Sequence, residues 1–324
     1  MVMWTDRRVL VTGATGLLGS HLTAELCERG ASVVCLVRDE VAASLFSRRR
    51  LDQRVTIVRG RLEDYELLER TINEHEISCV FHCAAQAIVG TANRLPLSTW
   101  ESNVRGTYNL LEACRRNAGL VERIVVASSD KAYGDQIELP YREGAPLEGR
   151  FPYDCSKSCT DLIARSYFET YGTPVCITRC GNLFGPGDLN WNRIVPGTIR
   201  AALRGERPVI RSDGSFVRDY VYVEDAVAAY LATATRIGDT RVTGEAFNFA
   251  DAKPLTVLEI CAATLAAADR SDLAPVVLGQ GSHEIRRQYL DSSKAAERLD
   301  WTPRFGLTEG LARTVQWYRT QLGA

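Results

Sequence analysis

The 324-residue chain has almost no surplus charge: 39 Lys and Arg face 40 Asp and Glu, leaving a formal net charge of −1. Without a global positive field there is no general attraction to nucleic acid or to an anionic membrane, so any phosphate recognition has to be local. No apolar run approaches the length that spans a bilayer, and the opening residues 1–6 hold no charged-then-apolar leader. The expectation is a soluble, cytoplasmic protein. Internal repeats and low-complexity tracts are absent as well. Histidine is scarce, with 4 in the chain, and these complete no tetrahedral set with the cysteine pairs Cys79/Cys83, Cys155/Cys159 and Cys176/Cys180. The 10 cysteines also lack a paired Cys-x-x-Cys framework, so no metal is expected and they read as small buried hydrophobes.

What is present is enough apolar material, 45% of residues, for a full core in one large domain or two interleaved ones. Short apolar strands alternate with helical patterns. Strands are expected at 8–11, 31–37, 78–83, 123–128 and 175–179, with helices at 17–29, 65–74, 97–117 and 153–171. This alternation predicts an α/β fold, a Rossmann-type doubly wound parallel sheet with helices on both faces. Beyond Gly181 the regularity fades into Gly-, Pro-, Asn- and Asp-rich loops such as 185–188 and 211–214. These mark a smaller C-terminal substrate-binding lobe. The expected division is 1–181 and 219–250 for the dinucleotide-binding domain, and 182–218 and 251–324 for the lobe.

Ligands bind such sheets at the carboxyl ends of their strands. The turn after the first strand reads Thr12-Gly13-Ala14-Thr15-Gly16-Leu17-Leu18-Gly19. Glycines there permit a tight turn and let backbone N–H groups and the helix N-terminus approach a pyrophosphate. Alone, the motif is also compatible with a turn that binds nothing. Gly13, Thr15, Gly16, Leu17, Leu18 and Gly19 are the candidate cofactor contacts, joined at the same edge by Ala84, Ala85, Gln86, Asn103 and Cys180. Tyr153 and Lys157 stand one helical turn apart on one face. A fixed ammonium beside a phenol favours the phenolate and lowers its pKa, which makes a base of a tyrosine; the competing reading is a partly buried helix tyrosine.

The segments TGATGLLG, HCAAQ, ESNVRGT, YDCSK, RCGNLFGPGD and RDYVYVEDAV together resemble the extended short-chain dehydrogenase/reductases that modify nucleotide sugars, nearly end to end. The resemblance implies Tyr153 as catalytic base, Lys157 as its partner and nicotinamide-ribose ligand, and Ser128 or Ser129 as the hydroxyl that steers the sugar 4-OH. It also implies that Arg218 grips the substrate diphosphate; the competing reading is a surface arginine paired with Asp219 or Glu224. Asn182, Asn190, Arg193, Ile194 and Gln86 are further expected substrate contacts. Trp191 is expected either to stack on a base or to pack at the lobe interface.

Asp130-Lys131 separates the members of that family. Sugar 4-epimerases usually lack an acid there, whereas in the similar 4,6-dehydratases an Asp at this place protonates the departing C6 hydroxyl and the next residue removes the C5 proton. Asp-Lys resembles CDP-glucose 4,6-dehydratases and inverting UDP-N-acetylglucosamine dehydratases. Lys131 in a mere ion pair is the competing reading. The resemblance therefore implies a lyase acting on an NDP-hexose, CDP-glucose favoured, as a homodimer or homotetramer. The other enzyme reading is a 4-epimerase or 4-ketoreductase, and a different class is a non-catalytic dinucleotide sensor. At the second strand, Leu36-Val37-Arg38-Asp39 places Val37 where NAD sites carry an acid and Arg38 just after it. This favours NADP over NAD, while Asp39 and Glu40 leave NAD open and a salt-bridged surface Arg38 is the competing reading. Arg61-Leu62 occupies the place beside the adenine where many relatives carry Asp-Ile.

Overall fold

The computed structural model describes residues 4–280 and 285–323. Six strands, β1 (Arg8–Thr12), β2 (Ser32–Val37), β3 (Thr56–Arg59), β4 (Cys79–His82), β5 (Arg123–Ala127) and β6 (Val175–Cys180), join a last strand, Ala246–Phe249. The sheet order is Ala246–Phe249, β6, β5, β4, β1, β2, β3, and every pairing is parallel. The order reverses between β1 and β4, which opens a crevice at their carboxyl ends. Alternate side chains feed two cores. Val9, Val11, Val33, Cys35, Phe81 and Val125 face one layer, and Leu10, Val34, Leu36, Val80, Ile124 and Val126 face the other. Burial on both faces explains why these strands read as continuous apolar runs.

A third cluster gathers helices Ile194–Leu203, Val257–Ala267 and Leu307–Leu322 around Phe184, Tyr220 and Tyr222. Helix Val223–Arg236 instead packs beneath the sheet through Val227, Tyr230 and Leu231, where Ala295 and Leu299 also reach. Among the described residues no helix is long and apolar enough to cross a membrane. Six cysteines, at 35, 79, 114, 176, 180 and 261, are buried, and Cys27, Cys83, Cys155 and Cys159 are half-buried.

Three elements differ from expectation, one of them the strand Ala246–Phe249 beside β6, which falls past the last strand expected from the sequence. β3 was not foreseen, because Thr-Ile-Val-Arg is a four-residue edge strand with both ends exposed and carries too little apolar signal. The single helix expected at 97–117 is three pieces: Pro96–Trp100, a π-helical turn at Glu101–Arg105, and Gly106–Arg116. Leu62 presses so close to Gly106 that an added Cβ there would lie 2.7 Å from it. The wide turn carries Asn103 inward, consistent with the tendency of π-turns to occur at functional sites.

Candidate active site

The glycine turn joins β1 to helix Leu17–Glu28, whose first turn has no side-chain cap and so presents backbone N–H groups outward. Gly13 has φ +74°, and a Cβ there would meet Ala84 N at 2.7 Å; at Gly19 it would lie 2.1 Å from Gly13 O. Both glycines are therefore required for the backbone to pack this closely. The turn opens on a cavity of about 820 Å³ that also touches the carboxyl ends of β2, β4, β5 and β6. Its volume, the uncapped helix and the close backbone suit a dinucleotide.

The cavity brings together most of the expected residues. Thr15, Gly16, Leu17, Leu18, Arg38, Arg61, Leu62, Ala84, Ala85 and Cys180 line it, with Ser128, Ser129, Asp130, Lys131, Tyr153, Lys157, Asn182, Asn190, Arg193 and Arg218. Gln86, Asn103 and Ile194 do not. Asn103 is a clamp instead: its Nδ2 donates to Gln86 O at 3.2 Å and Ser156 Oγ at 2.9 Å, while its Oδ1 accepts from Gln86 N at 2.7 Å. Ile194 begins a helix and packs against the third cluster. Trp191 also packs there, 5.5 Å from the Tyr318 ring.

Behind the clamp runs a relay. Thr12 Oγ1 and Thr107 Oγ1 hold the two ring nitrogens of His82 at 2.9 and 3.1 Å, and Thr107 Oγ1 donates to Asn103 O at 2.6 Å. That last bond leaves Thr107 to accept from His82 Nε2–H. Burial, then Lys157, pulls the His82 pKa down to about 3, so the ring is neutral.

Helix Pro152–Tyr171 starts with Pro152 at its first turn and carries Tyr153 and Lys157 into the cavity, both buried. Lys157 Nζ donates to Ala127 O at 2.7 Å, and burial lowers its pKa to about 8. The expected depression of the phenol pKa is reversed here. Burial pushes Tyr153 up to about 12, ahead of a hydrogen bond with Ser129 that lowers it. Lys157 directs its ammonium at a backbone carbonyl, and desolvation of the phenolate wins.

Asp130 and Lys131 open a four-residue 3₁₀ turn, Asp130–Tyr133. Ser129 Oγ accepts from Lys131 N at 3.2 Å and donates to Asp130 Oδ1 at 2.8 Å. Asp130 is 4% exposed and its Oδ2 has no hydrogen-bond partner among the described residues. Burial raises its pKa, outweighing Lys131, Ser129 and Arg218; this is the setting that keeps a carboxyl able to donate a proton.

Arg218 is buried rather than a surface arginine. Its guanidinium donates to Val217 O at 2.8 Å, to Arg286 O at 3.2 Å and to Ile285 O. Sequence reasoning passed over Asp188, Asn192, Arg211 and Tyr230, all on the cavity wall, and Asp219 behind it. Asp188 Oδ2 pairs with Arg193 at 3.1 Å, and Arg211 donates to Asn192 Oδ1 at 2.6 Å. Asp188 and Asp219 fall inside segments quoted for the resemblance, so their acidity was a usable signal; Arg211 is isolated in a loop and gave none. Asp219 is fully buried, and burial, then Asp130, raises its pKa to about 8. One of its oxygens accepts from Leu290 N at 2.8 Å.

The model of the NAD dependent epimerase/dehydratase family matches residues 9–250. CDP-glucose 4,6-dehydratase of Salmonella typhimurium is 34% identical, the match covering 98% of this chain and 91% of that protein. Among solved structures, UDP-glucose 4-epimerase of Thermotoga maritima with UDP-glucose has a TM-score of 0.88 at 30% identity, covering 97% of this chain and 99% of that one. A dTDP-glucose 4,6-dehydratase of Streptomyces venezuelae, solved with NAD, has a TM-score of 0.86 at 30% identity, with 98% of each chain covered. That structure lends no support to the NADP expectation. Sequence and fold agree along almost the whole length, and the chain belongs to the NAD dependent epimerase/dehydratase family.

Proposed function

We propose that the protein is a nucleotide-sugar 4,6-dehydratase that converts an NDP-glucose, CDP-glucose favoured, to the NDP-4-keto-6-deoxyhexose. The observation that carries this reading is Asp130, a buried carboxyl with a raised pKa in the same cavity as Tyr153 and Lys157. Epimerisation needs no such acid. The 34% identity to a CDP-glucose 4,6-dehydratase over nearly the whole chain supports the same choice.

NAD, when bound, supplies the hydride acceptor and donor of a cycle with no net redox change. With the cofactor bound, the positive charge of the nicotinamide would favour the Tyr153 phenolate that burial alone disfavours, so that Tyr153 takes the proton of the C4 hydroxyl as C4 is oxidised, with Lys157 placed to hold the cofactor ribose and Ser128 or Ser129 the sugar oxygen. The C4 ketone makes the C5 hydrogen acidic. Lys131, in its uncharged form, removes it, and Asp130 gives its proton to the C6 hydroxyl, which leaves as water. The bound cofactor would supply hydride to C6 of the C5=C6 bond left behind, and C5 would take back a proton. In this reading segment 182–218 belongs to the substrate lobe, and Arg193, Arg211 and Arg218 offer charge to the diphosphate, while Ala295, Leu299 and Trp301 of the expected 251–324 lobe pack into the sheet core instead. NAD rather than NADP is supported by the relative solved with NAD and by Arg38, whose Nε is paired with Asp39 at 2.6 Å. Asp39 itself lines the cavity, where its charge would oppose a 2'-phosphate. Exposed Leu97 and Leu162 support a homodimer or homotetramer, which light scattering checks.

A screen of CDP-, UDP-, dTDP- and GDP-glucose, and GDP-mannose, tests the activity. A 4-keto-6-deoxy product from one of them is expected. C4 epimers formed without loss of water would establish the second reading, a 4-epimerase, which the fold match to UDP-glucose 4-epimerase favours. Binding of NAD with no turnover of any sugar would indicate a sensor.

A further inference from the structure

Arg179 on β6 lies outside the cavity lining and is 4% exposed. Its Nε and Nη2 bond both oxygens of Asp161, at 2.7 and 2.8 Å, and its Nη1 donates to Tyr133 OH at 2.7 Å and Glu143 O at 3.1 Å. Tyr133 OH donates onward to Asn248 Oδ1 at 2.7 Å. Each partner stands next to chemistry. Asp161 is one helical turn beyond Lys157, and Tyr133 closes the short turn that begins with Asp130 and Lys131. A second tie runs parallel to the first: Ser158, the residue after Lys157, donates its Oγ to Ala132 O at 2.8 Å.

Desolvating an arginine and an aspartate offsets most of what their attraction contributes, so an apolar pair of the same size would hold the fold as well. What an apolar pair lacks is direction. The two-pronged guanidinium–carboxylate contact fixes an angle, and the hydroxyl of Tyr133 is held at the end of the same fork.

We propose that Arg179, Asp161 and Tyr133 are positioning residues: a brace that sets the Asp130–Lys131 turn in register with the Tyr153–Lys157 helix, so that loss of water follows oxidation at the neighbouring carbons of one bound sugar. The chemical consequence rests on the dehydratase reading; the mechanical one does not. Small misplacements of a reacting group are costly to rate even when binding is untouched.

Tyr133→Phe separates the two. It deletes the hydroxyl and keeps the ring, with its centroid 5.1 Å from that of Tyr141 and 4.8 Å from the Arg179 guanidinium. Amide hydrogen exchange of the intact variant should rise about tenfold at residues 130–134 and stay unchanged along 153–171. In a single turnover with NAD and the preferred NDP-sugar, oxidation at C4 should stay within about twofold of wild type, while water loss slows about tenfold and reduced nicotinamide accumulates. Unchanged exchange in the turn overturns the brace. So does an equal fall in both chemical steps, because a general loss of structure moves them together. If wild type forms no 4-keto-6-deoxy product, the dehydratase reading fails by itself and the exchange measurement still decides the brace.

Discussion

Tyr153 and Lys157 owe their placement to one 20-residue helix, whereas Asp130 and Lys131 sit on a turn of four residues. The helix fixes its pair by its own repeat, since residues four apart share a face whatever surrounds them. The turn has no such repeat. It holds its shape through the Ser129 cap, Ser158 on the neighbouring helix and the Tyr133–Arg179 contact. Electrostatically the pairs differ too: burial moves Tyr153 up and Lys157 down, while in the turn it raises Asp130 toward the protonated form an acid needs. The helix pair should therefore respond to changes in its own side chains, and the turn pair also to changes in residues that never touch the sugar.

The largest effect should come from the helix pair. Tyr153→Phe removes the phenol and little else, so turnover should fall by about 10³-fold with NAD affinity nearly unchanged; turnover and cofactor titration measure the two sides. A smaller effect probes the relay that supports this pair through Asn103. His82 has a folded pKa of about 3 against about 6.5 unfolded. Between those values the unfolded chain binds the extra proton, so stability is full above about pH 6.5 and is lost as pH falls toward 3. The contribution is a slope of up to about 1.4 kcal/mol per pH unit. His21, lowered to about 4 by burial, acts in the same direction. Denaturant midpoints from pH 7 to 4 should show the loss, and His82→Gln should remove about one proton's share of the slope; an identical slope in the variant would refute the assignment. The smallest effect lies far from both pairs. Asp39→Ala frees Arg38 and removes a carboxylate from the cavity wall, so the preference for NAD over NADP should weaken severalfold while the balance of oxidation and water loss is unchanged.

The same contrast explains what could be read from the sequence. Long-range order was visible wherever a residue repeat carries it: the alternation of apolar strands and helices, the glycine turn, and the spacing of Tyr153 and Lys157. β3 was too short and exposed to show, and the π-helical turn at Glu101–Arg105 runs into Gly106, where Leu62 packs from another part of the chain. For the site, residue types were legible and their environments were not. A phenol pKa depends on desolvation as well as on a nearby lysine, and burial is a tertiary property. Asn103 and Gln86 were placed in the right neighbourhood but serve as a clamp behind the cavity. Arg179 looked like one more strand residue, because Asp161 and Tyr133 meet it only after the sheet has formed.

The most direct test of the central claim, that Asp130 turns an oxidised sugar into a dehydrated one, is a single turnover of Asp130→Asn beside wild type with the preferred NDP-sugar. Nicotinamide absorbance, 4-keto-6-deoxy product and exchange of the C5 hydrogen with deuterated water are followed together. Asparagine keeps the size of the side chain and cannot deliver a proton to a departing hydroxide, so oxidation at C4 should proceed, reduced cofactor should accumulate, and product should form about 100-fold more slowly, with C5 exchange continuing. Product formation by the variant at the wild-type rate, or a wild type that interconverts C4 epimers without losing water, would contradict the account.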